Sequence, residues 1–221
     1  MKIIDTGARC EITEKKSRFI ATICPVFSEE EAITFIASVK KEFRDAKHNC
    51  YAFTIGDHNE LTRYSDDGEP AQTAGKPMLD ILLHEEIHNA AVVVTRYFGG
   101  ILLGTGGLIR AYQKAVAEAL LHAGTAEKQS GILCEIETEY SDYQKLSYLL
   151  EKNNIPVIES TFTEKVTIHV LFLEEYYAHM NHLMTEEFSG RIRYRILEHV
   201  EFTIIDQEIK FLQRSAKEPE L

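Results

Sequence analysis

The strongest constraint on folding lies in residues 90–121, AAVVVTRYFGGILLGTGGLIRAYQKAVAEALL. The apolar run 91–94, followed by the aromatic pair Tyr97 and Phe98, predicts a buried strand. Farther on, Leu108, Ala111, Tyr112, Ala115, Ala119 and Leu120 recur at helical spacing. Between strand and helix stand Gly99, Gly100, Gly104, Gly106 and Gly107, five of the chain's twelve glycines. Glycine has no β-carbon and is placed where backbone takes a positive φ or approaches another group closely. A strand, a glycine loop and a helix start also make an anion site, because unpaired N–H groups and the helix dipole face whatever lies over the loop. Arg96 closes the strand, and Arg110 and Lys114, four apart, share one helix face. Two readings stay open here, an anion-binding loop or a tight crossover flanked by solvated cations.

Named nucleotide motifs do not fit this loop. No glycine is followed by Lys and then Ser or Thr, as a P-loop requires, and Gly75-Lys76-Pro77 is the nearest failure. The G-x-G-x-x-G fingerprint breaks at Ile109. An ordinary NTPase or dinucleotide enzyme is therefore not expected.

Charge narrows the partner. The chain carries 24 Lys+Arg against 35 Asp+Glu, a net charge of −11. Residues 1–130 hold 15 basic and 18 acidic side chains, and residues 131–221 hold 9 and 17. A global grip on nucleic acid is excluded by this balance, so any phosphate contact must be a local patch. Cys10, Cys24, Cys50 and Cys134 are scattered without CxxC spacing and read as reduced thiols. The opening MKIIDTGARC has no apolar signal core and no run approaches a membrane span, so a soluble cytoplasmic protein with no membrane partner is expected.

Along the chain, residues 17–27 predict a strand with Phe19, Ala21 and Ile23 on one face, with Lys15, Lys16 and Arg18 before or at its start. Ser28 and Glu31 form a capping box for a helix running to about residue 43. Residues 46–55 predict a second strand. Residues 63–77, RYSDDGEPAQTAGKP, read as a polar loop, with Pro77 at N1 of a helix from residue 78 to about 86. The carboxylates Asp66, Asp67 and Glu69 have no calcium-loop spacing; solvated turn and hard-cation site are the two readings. His84-Glu85-Glu86-Ile87-His88 matches H-E-x-x-H with both histidines on one helix face, but the expected helix ends at residue 88 or 89 and the third metzincin ligand is missing. No metal site is expected.

From residue 131 the pattern restarts as strand 132–138, a capping box at Ser141 and Gln144 with its helix, strands 155–163 and 165–173, helix 174–188 and strand 193–205. This β-α-β-β-α-β order specifies a ferredoxin-like sheet in an α+β chain. Arg191, Arg193 and Arg195 fall on one strand face, either as a secondary basic patch for phosphate or as partners of local carboxylates. The expected division is residues 1–130, residues 131–213 and a frayed tail over 214–221.

The stretches DDGEP (66–70), TAGKP (73–77), VVVTRYFGG (92–100) and LGTGGLIRAY (103–112), with KKSRFI (15–20), resemble the IMPACT/YigZ family over nearly the whole chain. The resemblance implies an N-terminal fold like domain 2 of ribosomal protein S5 and a C-terminal domain similar to the last domain of the translocating elongation factor. Eukaryotic relatives regulate translation under amino-acid starvation by competing for a ribosome-associated kinase activator, a pathway that bacteria lack. The surface carried over comprises Asp66, Asp67, Gly68, Glu69, Thr73, Gly75, Arg96, Tyr97, Gly99, Gly100, Gly104, Gly106, Gly107 and Arg110, to which spacing adds Lys114. The expected function is non-catalytic regulation of translation through RNA, the ribosome or a translation factor, with no cofactor. The alternative is a phosphate- or nucleotide-binding enzyme, with magnesium at Asp66, Asp67 or Glu69 and His48 moving protons.

Overall fold

The computed structural model describes residues 1–205 and 208–212, so the tail expected over 214–221 lies outside the described residues. The chain is mixed α+β and separates into two compact units, Met1–Glu127 and a second starting at Lys128.

The first unit contains β1 (Lys2–Ile4), β2 (Ala8–Glu14), β3 (Ser17–Pro25), α1 (Glu29–Glu42), β4 (His48–Ile55), β5 (Leu61–Ser65), α2 (Gly75–His84), β6 (Ala90–Tyr97), α3 (Thr105–Ala123) and β7 (Thr125–Glu127). Five strands form an antiparallel sheet in the order β2-β3-β6-β4-β5, while β1 pairs with β7. The strand at the centre, β6, is covered on both faces. Ala91 and Val93 pack with Ala32, Ile36 and Val39 of α1, and Ala90, Val92 and Val94 join the core built by α2 and α3. A strand buried on both sides needs apolar residues without alternation, which is why this stretch reads as an unbroken run.

The helix starts show two kinds of cap. On α1, Ser28 Oγ accepts the Glu31 N–H at 3.1 Å and Glu31 reaches back to the Phe27 N–H at 2.7 Å, a variant of the expected box. The start of α2 departs from the sequence expectation. It begins at Gly75, so Pro77 sits inside the first turn, where its missing N–H costs nothing. The cause lies at the far end of the preceding loop. Asp66 accepts the N–H groups of Gln72, Ala74 and Gly75 at 2.8, 3.0 and 2.9 Å and supplies the cap from nine residues upstream. Part of the predicted polar loop is strand, since residues 63–65 belong to β5.

The other end of α2 corrects the histidine motif. The helix stops at His84, Glu86 takes φ +57°, and His88 lies beyond the helix with Nδ1 3.4 Å from the Gly56 carbonyl. The two histidines do not share a helix face.

The second unit contains β8 (Gln129–Thr138), α4 (Tyr140–Lys152), β9 (Val157–Phe162), β10 (Val166–Leu173), α5 (Glu174–Phe188), β11 (Arg193–Ile205) and β12 (Glu208–Phe211). Its antiparallel sheet has the order β12-β11-β8-β10-β9. Ile132, Cys134 and Ile136 meet Leu146 and Leu150 of α4 and Met180, Met184 and Phe188 of α5 in a separate core. The Ser141 capping box does not form. Glu139 is the N-cap, its carbonyl accepts the Tyr143 N–H at 3.1 Å, and Ser141 falls inside the first turn.

The three arginines are not a free row. Arg191 precedes β11 and pairs bidentately with Asp142 at 3.1 Å. Arg193 and Arg195 stand opposite Glu137 and Glu135 in the β11–β8 register, with Arg195 2.9 Å from Glu135. Local carboxylates answer the charge that a phosphate would otherwise meet. No helix among the described residues is long and apolar enough to cross a membrane.

Because each unit has its own core, damage to one should stay there. Leu146→Ala removes a fully buried side chain and should destabilise the second unit by about 2–5 kcal/mol. Hydrogen exchange should show protection lost from β8 to β11 while β6 amides keep theirs; uniform loss would contradict separate cores.

Candidate functional site

Strand register brings four loops to one end of the first sheet. Glu14 pairs with Ser17, Arg18 with Tyr97, His48 with Arg96 and Tyr51 with Ser65. The 15–16 hairpin tip, the 43–47 connection, the 66–74 loop and the glycine loop 98–104 therefore gather there. So do the N-termini of α2 and α3, which follow β5 and β6. The acidic-loop and glycine-loop residues converge at this end by topology, although Asp66 and Arg110 lie 44 positions apart in sequence; Arg191, Arg193 and Arg195 belong to the second unit.

The acidic loop is built inward. Asp66 caps α2 as described. Asp67 accepts Lys40 Nζ and the Asn49 N–H, both at 2.7 Å, and its carbonyl accepts the His48 Nδ1–H at 2.8 Å. Burial pushes the Asp67 carboxyl upward, but the Lys40 ammonium and the Asn49 N–H outweigh it and hold the group below the ordinary value. Glu69 is the most enclosed. Its Oε1 accepts Arg96 at 2.6 Å and the Tyr112 hydroxyl at 2.9 Å, and the Arg96 and Glu69 side chains are only 8% and 4% exposed. Cys50 Sγ lies 3.4 Å from the Tyr112 oxygen and 3.0 Å from the Asp66 carbonyl, and burial pushes its thiol up to about 12. Burial, with Cys50 and Glu69 beside it, also raises Tyr112, which stays a donor. Gly68, at φ +84°, lies over His48, and Thr73 donates to the Pro70 carbonyl at 2.7 Å. None of the three carboxylates is left free for a metal ion without giving up protein donors.

The glycine loop is built outward. Gly99 has no room for a side chain, since a β-carbon there would lie 2.0 Å from the Lys16 carbonyl carbon, and its N–H is held by Ser17 Oγ at 3.1 Å. Gly104 takes φ +73° and is the N-cap of α3, with no side-chain cap and no acid in the first turn. Gly100, at φ +83°, faces open space. Gly75 packs against Ser65 backbone and Gly107 against Leu103, whereas Gly106 meets only the Arg110 guanidinium at ordinary contact distance. Around the loop, Phe98, Ile101 and Leu102 are exposed, Leu102 at 83%. Tyr97 donates to Asp45 at 2.9 Å and lies under Arg18.

Charge divides the unit. Arg9, Arg18, Lys40, Arg63, Lys76 and Arg96 each pair with a carboxylate. Among the described residues Lys15, Lys16, Lys41, Arg44, Lys47, Arg110 and Lys114 form no ion pair, and all seven are exposed. Four lie in loops at the glycine-loop end, and Lys41 lies in the last turn of α1, which ends there. The other two lie on the first three turns of α3, which starts there. The opposite end carries Glu29, Glu30, Glu31, Asp57, Glu60, Glu85 and Glu86.

Sequence reasoning placed the acidic and glycine loops but missed what holds them. Tyr112 read as core because of its helical spacing; its hydroxyl, which needs a partner when buried, was the available signal. Lys40, His48, Asn49 and Cys50 carried no motif, because their roles follow from strand register.

The arrangement defines a two-unit α+β protein with a cation-bearing sheet end and an internally clamped acidic loop. Residues 15–120 match the Impact N-terminal domain, and residues 136–191 match a domain of unknown function, DUF1949. IMPACT family member YvyE of Bacillus subtilis is 39% identical, over 82% of this chain and 83% of its own. IMPACT family member YigZ of Escherichia coli is 40% identical, over 71% and 78%. A crystal structure of a hypothetical protein superposes with a TM-score of 0.56 at 34% identity, covering 89% of this chain and 97% of the other. The chain belongs to the IMPACT family.

Glu69→Ala should destabilise the first unit by about 3–5 kcal/mol in urea unfolding, because it strands a buried guanidinium. Adding Arg96→Met should recover part of that loss; a single variant as stable as wild type would show that the pair holds nothing. Asp67 sets a pH limit. Its folded value is lowered, so its contribution is present above the ordinary aspartate pKa of about 4 and is lost as pH falls below it. Thermal unfolding of Asp67→Asn should be less stable near neutrality and show a flatter acid limb.

Proposed function

We propose that this protein is a non-catalytic regulator of translation that binds RNA, the ribosome or a ribosome-associated factor through the glycine-loop end of its first unit. The carrying observation is the set of unpaired, exposed cations, Lys15, Lys16, Lys41, Arg44, Lys47, Arg110 and Lys114, at the sheet end where the uncapped α3 starts, in a chain of net charge −11. Membership of the IMPACT family supports the translation link, since the resemblance implies that role for eukaryotic members. The reading takes residues 1–130 as a domain like S5 domain 2. It takes residues 131–213 as a ferredoxin-like domain similar to the last domain of the translocating elongation factor; the 4-1-3-2 order of β11-β8-β10-β9 supports this.

Within the carried-over residues the roles differ. Asp66, Asp67, Glu69, Thr73, Gly75 and Arg96 hold the loops in place, and Arg110, Lys114 and the outer glycines meet the partner. The enzymatic alternative asks Asp66, Asp67 and Glu69 to exchange protein donors for magnesium, and their occupied oxygens weigh against it.

Co-sedimentation with ribosomes and separated subunits across a salt series tests the proposal. Binding should weaken with salt and fall at least tenfold in Arg110→Ala/Lys114→Ala, a pair that leaves the Glu69–Arg96 clamp intact. Absence of binding even at low salt would overturn direct ribosome contact.

A further inference from the structure

The glycine-loop end offers more than charge. Phe98 follows β6 directly and is 56% exposed, and one side of its ring is backed by the Arg96 guanidinium, 5.6 Å from the centroid. That guanidinium in turn lies 5.5 Å from the buried Phe19 ring. Arg96 is held by Glu69, so Phe98 rests on a buried, ion-paired guanidinium. More than half of the side chain remains open to solvent.

The hairpin beside it breaks a local rule. Lys15 and Lys16 form the two-residue link between β2 and β3, and both take positive φ, +44° and +66°. That turn favours Asn-Gly, because each central residue must enter the left-handed region. Two lysines there are unfavourable to the fold, and neither gains an ion pair among the described residues. Local strain without a structural return points to use by a partner. The close seating of Gly99 on the Lys16 backbone holds this tip next to Phe98.

We propose that Phe98 is a stacking platform for an unpaired RNA base, with Lys15 and Lys16 meeting the phosphates on either side of it. This rests on the reading of the sheet end as the binding surface and narrows it to one partner chemistry. An open aromatic face takes any base that is not already stacked, and ammonium groups on a hairpin tip meet the backbone that flanks it. Duplex RNA hides its base faces and offers phosphate alone. A protein partner would use Ile101 and Leu102 equally and would have no need of two lysines in a strained turn.

The chain contains no tryptophan, so Phe98→Trp supplies a single reporter at the platform. A short unstructured oligoribonucleotide should quench its fluorescence, and the same strand in a duplex should not. Phe98→Leu and Phe98→Ala should each weaken single-strand binding by about tenfold. Lys15→Ala/Lys16→Ala should weaken it and flatten its salt dependence. Bound oligonucleotide without quenching, or Phe98→Leu binding as tightly as wild type, would overturn the platform. Ribosome co-sedimentation by Phe98→Leu equal to wild type, with Arg110→Ala/Lys114→Ala deficient, would overturn it while leaving the sheet-end reading intact. Ribosome binding kept by Phe98→Leu but lost by Phe98→Ala would overturn it in favour of an apolar protein contact.

Discussion

The loops at the glycine-loop end of the first unit are tied to the sheet and to α3 through one carboxylate oxygen. Glu69 Oε1 accepts Arg96 from β6 and Tyr112 from α3, so strand, helix and the acidic loop meet at a single atom. The sheet centre needs β6 to be apolar on both faces, yet the strand ends with a guanidinium that burial cannot leave unpaired. The loop answers it. Once Glu69 is fixed, Asp66 is positioned to cap α2 and Asp67 to hold α1 through Lys40 and β4 through the Asn49 N–H. Three carboxylates in four positions thus tie together three helices and two strands.

That assignment changes what the motif residues mean. A cluster of acids beside a glycine loop invites a metal–phosphate reading, because the same residue types serve kinases and nucleotide enzymes. Here the acids are consumed by N–H and ammonium donors, and the buried Cys50 thiol, raised far from neutrality, is no nucleophile. What that end presents to solvent includes three exposed apolar side chains and seven unpaired cations. On the proposed reading, such a surface would meet an anion by shape and charge.

The sequence made the frame legible where one physical signal dominated. The apolar run of β6, the helical spacing of α3 and the Ser28 cap each reflect a local rule, and each matches the structure. The misses share a cause. The start of α2, placed at Pro77 from local preference, is set instead by Asp66 nine residues earlier. The Ser141 box lost to a helix that begins two residues sooner, and the histidine motif failed when α2 stopped at His84. Local capping chemistry was correct where nothing distant competed with it. The partners of Glu69 were illegible for the same reason, since Arg96 and Tyr112 stand 27 and 43 positions away.

Net acidity and an anionic partner are compatible because screening limits what each charge can reach. At physiological ionic strength the Debye length is about 8 Å, so an approaching phosphate feels the surface nearest to it and little of the rest. At the glycine-loop end that surface holds Lys15, Lys16, Arg44 and Lys47, with Arg110 and Lys114 along α3. At the opposite end it holds seven carboxylates around the α1 start and the turns before β5 and β6. On the proposed reading, a polyanion would be accepted in one orientation and repelled in the other. The acidic end would then suppress nonspecific attachment and leave affinity to contacts made only when the partner's shape fits the loop. An excess of acid that argues against a general nucleic-acid binder is thus consistent with a selective one.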